Sequence, residues 1–359
     1  MSDCKTVRLG DVATYINGYA FKPSDWGTEG LPIIRIQNLT GNDYETNFYN
    51  GKIPEKYFVK NGDVLISWSA SLGVYEWKKN DALLNQHIFK VVFDKLEVDK
   101  KYFMFTVSNL LNAMSKQTHG STMRHITKPD FDNMPFPLPP IEKQKQIARK
   151  LDKCNELILK NNRILEKYDL LIKSRFIEMF SSQKDSFPFC TLDTVSSRIF
   201  AGGDRPKETS ETKNDEFQYP VFANAETNKG LLCYSKTYQV ELPCVTIAAR
   251  GCTVGYTEVR NEKFTPVVRL LTIIPSKEIT PLFLKYYLDL EMKIEGNGAA
   301  QPQLTVPTVK KYQIYVPSLT LQNDFAAFVQ QIDKSKFAVQ KSLEKTETLY
   351  KSLMQEYFG

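Results

Sequence analysis

The chain has 359 residues, 42% hydrophobic and 25% charged, an ordinary globular balance with room for two or three domains, each with a core of its own. A net charge of +6 and a pI of about 8.7 tilt it toward anionic partners without making a basic tail. No run approaches the ~20 apolar residues of a membrane helix, and the start, MSDCKTVRLGDV, has no signal-peptide core, so a cytoplasmic protein without membrane contact is expected. Six scattered cysteines without a CxxC pair, and only three histidines, argue against a disulfide framework or a zinc site.

In chain order, LPIIRIQNL, KNGDVLISWSASLGVYEW and HIFKVVF are short runs rich in Val, Ile and aromatics, bounded by Gly, Asn and Asp. They predict strands. A helix is predicted near 99–116, followed by the polar loop HGSTMRHIT. FPLPPIEKQKQIARKLD then leads into a long helix, with prolines placed where a helix start tolerates them. FCTLDTVSSRIFAGG opens a second series of strands, YPVFANA, CVTIAAR and VVRLLTIIP. A predicted helix near 279–294, the loop NGAAQPQLT and the lead YVPSLTLQNDFAAFVQQID into a second long helix follow.

This order is a duplication. LEKYDLLIKSRFIEMF at 165–180 and LEKTETLYKSLMQEYF at 343–358 share Leu165/Leu343, Glu166/Glu344, Lys167/Lys345, Leu171/Leu349, Ser174/Ser352 and Phe180/Phe358 at an offset of 178 (165 to 343). Gln144/Gln322, Pro139/Pro317, Thr127/Thr305 and Gly120/Gly298 keep that offset. It drifts to about 183 where VRLGDVATYINGYAF meets FCTLDTVSSRIFAGG, as loop-length differences require. Two tandem copies are implied, each a mixed α/β part with β dominant, followed by a long helix.

The long helices carry a 3.5-residue apolar period. Alternating steps of four and three pass through Ile147, Leu151, Cys154, Ile158, Asn161, Leu165, Tyr168, Ile172, Arg175 and Met179. The matching walk gives Phe325, Val329, Ile332, Lys336, Val339, Leu343, Thr346, Tyr350, Leu353 and Tyr357. Held over five heptads, in helices of roughly 50 Å, this is a coiled-coil seam rather than one amphipathic face. Leu151, Ile158, Leu165 and Ile172 are expected to face Val329, Ile332, Leu343 and Tyr350. Polar Asn161, Arg175 and Lys336 would fix direction and register. Leu157, Ile164 and Leu171 form a second apolar row beside the seam, available to widen the core or to dock a partner helix.

The Pro-rich leads into Gln-marked helices, the strand-and-Gly-turn segments KNGDVLISWSASLGVYEW and ELPCVTIAARGCTVGYTEV, and the loops HGST and GAAQPQLT together resemble the specificity subunits of type I restriction-modification systems. The resemblance covers nearly the whole chain. It implies an α+β fold with two target-recognition domains, at 1–140 and 183–318. Helices at 141–182 and 319–359 would follow them and pair as an antiparallel coiled coil with pseudo-two-fold symmetry. It also implies a non-catalytic subunit in which each domain reads half of a bipartite double-stranded DNA site. The coiled coil would set the spacer and dock two methyltransferase subunits, with restriction subunits joining them. S-adenosylmethionine, ATP and Mg²⁺ would belong to those partners.

Catalytic alternatives are weak. There is no GxxxxGK, no GxGxxG and no Asn-Pro-Pro-Tyr-like motif. Asp63, Glu76 and Lys78 have the spacing of a metal-dependent nuclease, but a turn residue and an exposed strand end explain them as well, and copy two has Cys244 and Thr257 near those places. A coiled-coil scaffold without a DNA role is the other alternative.

DNA contact needs Arg, Asn and Gln for base edges, and Lys, Arg and hydroxyls for phosphates. Candidates in copy one are Arg35, Gln37, Asn38, Ser67, Ser69, Gln86, His87, His119, Ser121, Thr122, Arg124 and His125, with Lys78 and Lys79 as phosphate contacts. In copy two they are Arg205, Lys207, Asn224, Arg250, Thr253, Gln301 and Gln303. For each, the plain alternative is a solvated loop residue or a structural hydrogen bond. No residue is expected to bind a metal.

Overall fold

A computed structural model of the chain describes residues 4–41, 46–117, 126–292 and 303–359. The chain divides into two compact units that do not follow chain order. One is Met1–Lys160 with Ser342–Gly359, and the other is Asn161–Lys341.

In the first unit Lys5–Arg8 pairs antiparallel with Pro135–Leu138, closing the domain immediately before the long helix. An antiparallel sheet runs in the order Thr14–Asn17, Ile88–Val92, Val64–Ser67, Gly73–Glu76. A second, mixed sheet contains Leu31–Ile34 parallel to Ala82–Leu84. Helix Lys100–Gln117 packs its buried Tyr102, Phe103, Val107 and Leu111 against Tyr15, Phe89, Phe131 and Phe136. LPIIRIQNL is not one strand throughout. It leaves the sheet after Ile34 and turns into a short helix, Ile36–Leu39, because the Asn38 carboxamide accepts from Arg35 N at 2.9 Å and caps that turn.

The second unit repeats the plan. Phe189–Thr191 pairs with Gln313–Tyr315. Ser196–Ala201, Leu271–Pro275, Cys244–Ile247 and Thr257–Arg260 form the matching antiparallel sheet. Tyr219–Phe222 runs parallel to Thr265–Pro266 in the matching mixed one. Two small helices, Lys128–Asp132 and Val306–Lys310, begin on Thr127 and Thr305, whose hydroxyls accept from Asp130 N and Thr308 N. These are two of the residues that hold the 178 offset.

The long helices are Ile141–Met179 and Leu319–Phe358. In each unit, segments of the two pair antiparallel. In the second unit Phe176 meets Phe325, with ring centroids 5.5 Å apart, and Asp169 takes the Lys336 ammonium at 2.5 Å. In the first, Lys150 reaches the Tyr357 hydroxyl at 3.2 Å, and Tyr350, Leu353 and Tyr357 pack on the core that includes Ile147 and Leu151. Leu151, Ile172, Val329, Ile332 and Leu343 are buried, while Ile158, Leu165 and Tyr350 are half-buried. Near the end of the first helix the seam departs from strict heptads. Phe176, fully buried, takes the place expected of Arg175, whose guanidinium lies 5.8 Å from the Phe328 ring and pairs with Glu178. There the helix also covers a domain core, and an aromatic ring fills that space where a guanidinium would need water.

Gln144 and Gln322 form equivalent joints. Gln144 donates to Pro139 O at 2.9 Å and accepts from Asp99 N at 3.0 Å. Gln322 donates to Pro317 O at 2.9 Å and to Glu278 O at 3.0 Å, and accepts from Thr280 N at 2.8 Å. Both side chains are essentially inaccessible to water. Each ties the start of its domain's helix to the Pro-rich lead of the long helix.

Candidate nucleic-acid interface

In the first unit, Arg35, Gln37, Gln86 and His87 line one open cleft together with Phe21, Trp26 and Asn85. The Arg35 guanidinium lies 5.0 Å from the Trp26 ring, which limits its rotamers and keeps its donor fork available. Trp26 is 41% exposed and was not predicted from sequence. Its only signal was a large aromatic residue in a Gly-bounded loop. Gln86 and His87 occupy the centre of a β-turn closed by Ile88 N donating to Asn85 O at 3.1 Å. Gly18 allows that turn to approach, since a Cβ there would stand 2.0 Å from Asn85 O.

Three expected contacts have structural roles. Asn38 is buried and caps the helix after Arg35. Ser67 is fully buried and donates to Ser71 O at 2.6 Å, bracing the loop that carries Ser69. In the second unit both ends of the Asn224 carboxamide are engaged. The oxygen accepts from Ala249 N at 2.7 Å and the nitrogen donates to Val268 O. Sequence reading identified these polar residues but had no means of separating a brace from a contact. His119, Ser121, Thr122, Arg124, His125 and Gln301 lie outside the described residues.

Arg250 and Gln303 come together in the second unit. With its amide oxygen turned toward the guanidinium, Gln303 accepts from Arg250 Nε at 3.2 Å and Nη2 at 2.9 Å. Both are exposed, and Thr253 is half-buried. Arg205 and Lys207 are exposed too, with Arg205 donating to Thr209 Oγ1 at 2.8 Å. Nearby Glu208 and Glu216 hold Lys236, and their hydrogen bonds push its pKa up to about 12. The field there is therefore mixed in sign. Arg260 is different. It is buried, stacked 3.6 Å from the Phe222 ring and bonded to Thr246 and Lys229 O, and burial lowers its pKa. It is a structural arginine.

A second feature escaped the sequence reading. The turn Val267–Leu270, closed by Leu270 N donating to Val267 O at 3.0 Å, holds Val268 at φ +51° and Arg269 at φ +63°. Non-glycine residues in this region cost on the order of 1 kcal/mol or more each, and a β-branched one is rare.

The nuclease alternative loses its residues. The Asp63 carboxylate accepts from Lys60 N at 2.9 Å as a turn brace. Glu76 pairs with Lys100 at 2.5 Å and with Lys78 at 3.5 Å, and the Lys100 bond holds its carboxyl below the usual range. Among the described residues no group of three acidic, His or Cys side chains could hold a metal, and no helix is long and apolar enough to cross a membrane.

The type I restriction modification DNA specificity domain matches residues 1–173 and again 197–347. The Mycoplasma pneumoniae protein S.MpnORF89P, named as a type I specificity subunit, is 27% identical over 277 residues, covering 73% of this chain and 81% of its own. The EcoBI specificity subunit of Escherichia coli is 32% identical over 148 residues, covering 41% of this chain and 31% of its own. The crystal structure of the S subunit from M. genitalium matches 99% of this chain and 96% of its own with a TM-score of 0.66 at 16% identity. With one recognition fold built twice and the family match running through both copies, this chain belongs to the type I restriction-modification specificity family, as a DNA specificity subunit with two tandem recognition domains.

Proposed function

We propose that each recognition domain reads one half of a bipartite double-stranded DNA site, and that the paired helices set the spacer and dock two methyltransferase subunits. What supports this is duplication with divergence. The joints repeat residue for residue, Gln144 with Gln322 and Thr127 with Thr305, whereas the polar groups lining clefts and surface differ. The first domain offers Arg35, Gln37, Gln86 and His87, and the second offers Arg250 with Gln303. Two similar scaffolds with unlike polar surfaces suit two unlike half-sites. The chain itself does no chemistry in this reading. S-adenosylmethionine, ATP and Mg²⁺ are used by methyltransferase and restriction subunits bound to it. Exposed Leu157, Leu171 and Phe337 on the long helices supply apolar surface for such partners.

The test is to co-express the chain with a methyltransferase subunit and map methylated adenines across genomic DNA by single-molecule sequencing. A bipartite motif with a fixed spacer is expected. An assembled complex that binds S-adenosylmethionine yet methylates no such motif would overturn the reading.

A further inference from the structure

We infer that the Val268–Arg269 turn is a base-reading element of the second domain, with Arg269 taking the O6 and N7 of a guanine and Val268 packing on a neighbouring thymine methyl. This rests on the proposed DNA reading and adds residues to it. The first observation is conformational. Both central residues of the turn lie at positive φ, where Gly, Asn or Asp is the ordinary choice. Neither side chain is buried, and Val268 is 53% exposed. Packing therefore does not explain why a valine and an arginine stand there.

The second observation is how firmly the turn is held. Val268 N donates to Gly203 O at 2.9 Å and Arg269 N donates to Gly202 O at 3.2 Å. Asn224 donates to Val268 O while accepting from Ala249 N, which ties the turn to the strand end that presents Arg250. Gly202 makes this approach possible, because a Cβ there would lie 2.5 Å from the Pro266 backbone. A rigid tip carrying an exposed arginine costs little further ordering on binding.

The third observation is equivalence. In the first domain the turn at the same place, between the short parallel strand and the central strand, carries Gln86 and His87, and it too rests against a glycine that tolerates no Cβ. The same support thus presents Gln-His in one domain and Val-Arg in the other. Arginine is the common reader of guanine in the major groove, and apolar side chains read the thymine methyl.

The experiment uses the full chain co-expressed with its methyltransferase subunit, with methylomes of wild type, Arg269→Ala, Arg269→Lys and Val268→Gly. The wild-type motif is the reference, and its absence would fail the proposed function itself. Given that motif, Arg269→Ala should relax one G·C position in one half-site by about 10–100-fold in discrimination, leaving the other half and the spacer unchanged. Arg269→Lys should relax the same position, since an ammonium cannot make the bidentate contact. Val268→Gly, which removes the backbone strain and so keeps the fold, should relax the adjacent position. An unchanged motif in all three variants would overturn the inference. So would a uniform loss of methylation with the motif intact, which marks a phosphate contact.

Discussion

Replacing Gln144 by leucine tests whether the joint between domain and long helix is structural in the way its bonds suggest. The change removes one donation, to Pro139 O at 2.9 Å, and one acceptance, from Asp99 N at 3.0 Å, at a side chain only 1% exposed. Each backbone partner left unpaired costs about 1–3 kcal/mol. The greater apolar burial of leucine returns on the order of 1 kcal/mol, so the net loss over the two orphaned partners is about 1–5 kcal/mol. Trp26, Trp68 and Trp77 all lie in the Met1–Lys160 segment, which makes tryptophan fluorescence a reporter of that unit. With a urea slope of about 2 kcal/mol per molar, the midpoint should fall by roughly 0.5–2.5 M. Gln144→Glu sharpens the test. At pH 7 its carboxylate keeps the bond from Asp99 N but faces Pro139 O with no proton to give. Burial raises the folded-state pKa above the unfolded ~4.3. The folded form then binds more protons than the unfolded one, so the penalty is full above the folded pKa and fades as the pH falls toward ~4. A midpoint shift of under ~0.25 M for Gln144→Leu, or a Gln144→Glu penalty independent of pH, would refute the reasoning.

Other consequences follow from single contacts. Gly18→Ala places a Cβ 2.0 Å from Asn85 O, backbone that cannot yield; a loss of more than about 2 kcal/mol in urea unfolding is expected, with a relaxed first half-site in the methylome. Ser67→Ala removes the buried bond to Ser71 O and should cost about 1 kcal/mol, leaving the methylated motif unchanged; an altered motif would mean that Ser67 touches DNA. Glu76→Gln breaks the ion pair with Lys100, worth up to about 1 kcal/mol at pH 7 after solvent screening. The folded-state pKa of Glu76 is depressed, so this stability is present above the unfolded pKa and lost as the pH falls through the folded one. Wild type and variant should therefore differ in urea midpoint at neutral pH and converge only once the pH has fallen below the depressed folded-state pKa of Glu76.

The duplicated plan was legible because periodicity and spacing encode it. The 3.5-residue walk identified Leu151, Ile172, Val329 and Leu343, all buried, and the 178 offset located Gln144/Gln322 and Thr127/Thr305 before their bonds were visible. Two things were not legible. Polar loop residues looked alike in sequence, yet Asn38, Ser67 and Asn224 brace backbone while Arg35 and Arg250 keep exposed or cleft-lining donors. That distinction depends on which carbonyls the fold brings near, a matter of tertiary geometry. The Val268–Arg269 turn was hidden for a different reason. VVRLLTIIP reads as one apolar strand, and no local pattern announces a turn built without Gly, Asn or Asp.

The same contrast explains how one scaffold can serve two sites. A residue that satisfies buried backbone groups is constrained by both its donors and its acceptors, so a different side chain leaves an orphan and costs stability. Gln144 and Gln322 are under that constraint, as are the capping Thr127 and Thr305 and the close-packed Gly18 and Gly202. The turn tips are not. Gln86-His87 and Val268-Arg269 hang from supported backbone with their side chains outside the core, and although only the second pair sits at positive φ, exchanging them alters what is presented while leaving the buried joints in place. Specificity can then change at the tips while the joints stay fixed. A transplant of Gln86-His87 onto positions 268–269 should accordingly preserve folding and shift only the half-site read by the second domain.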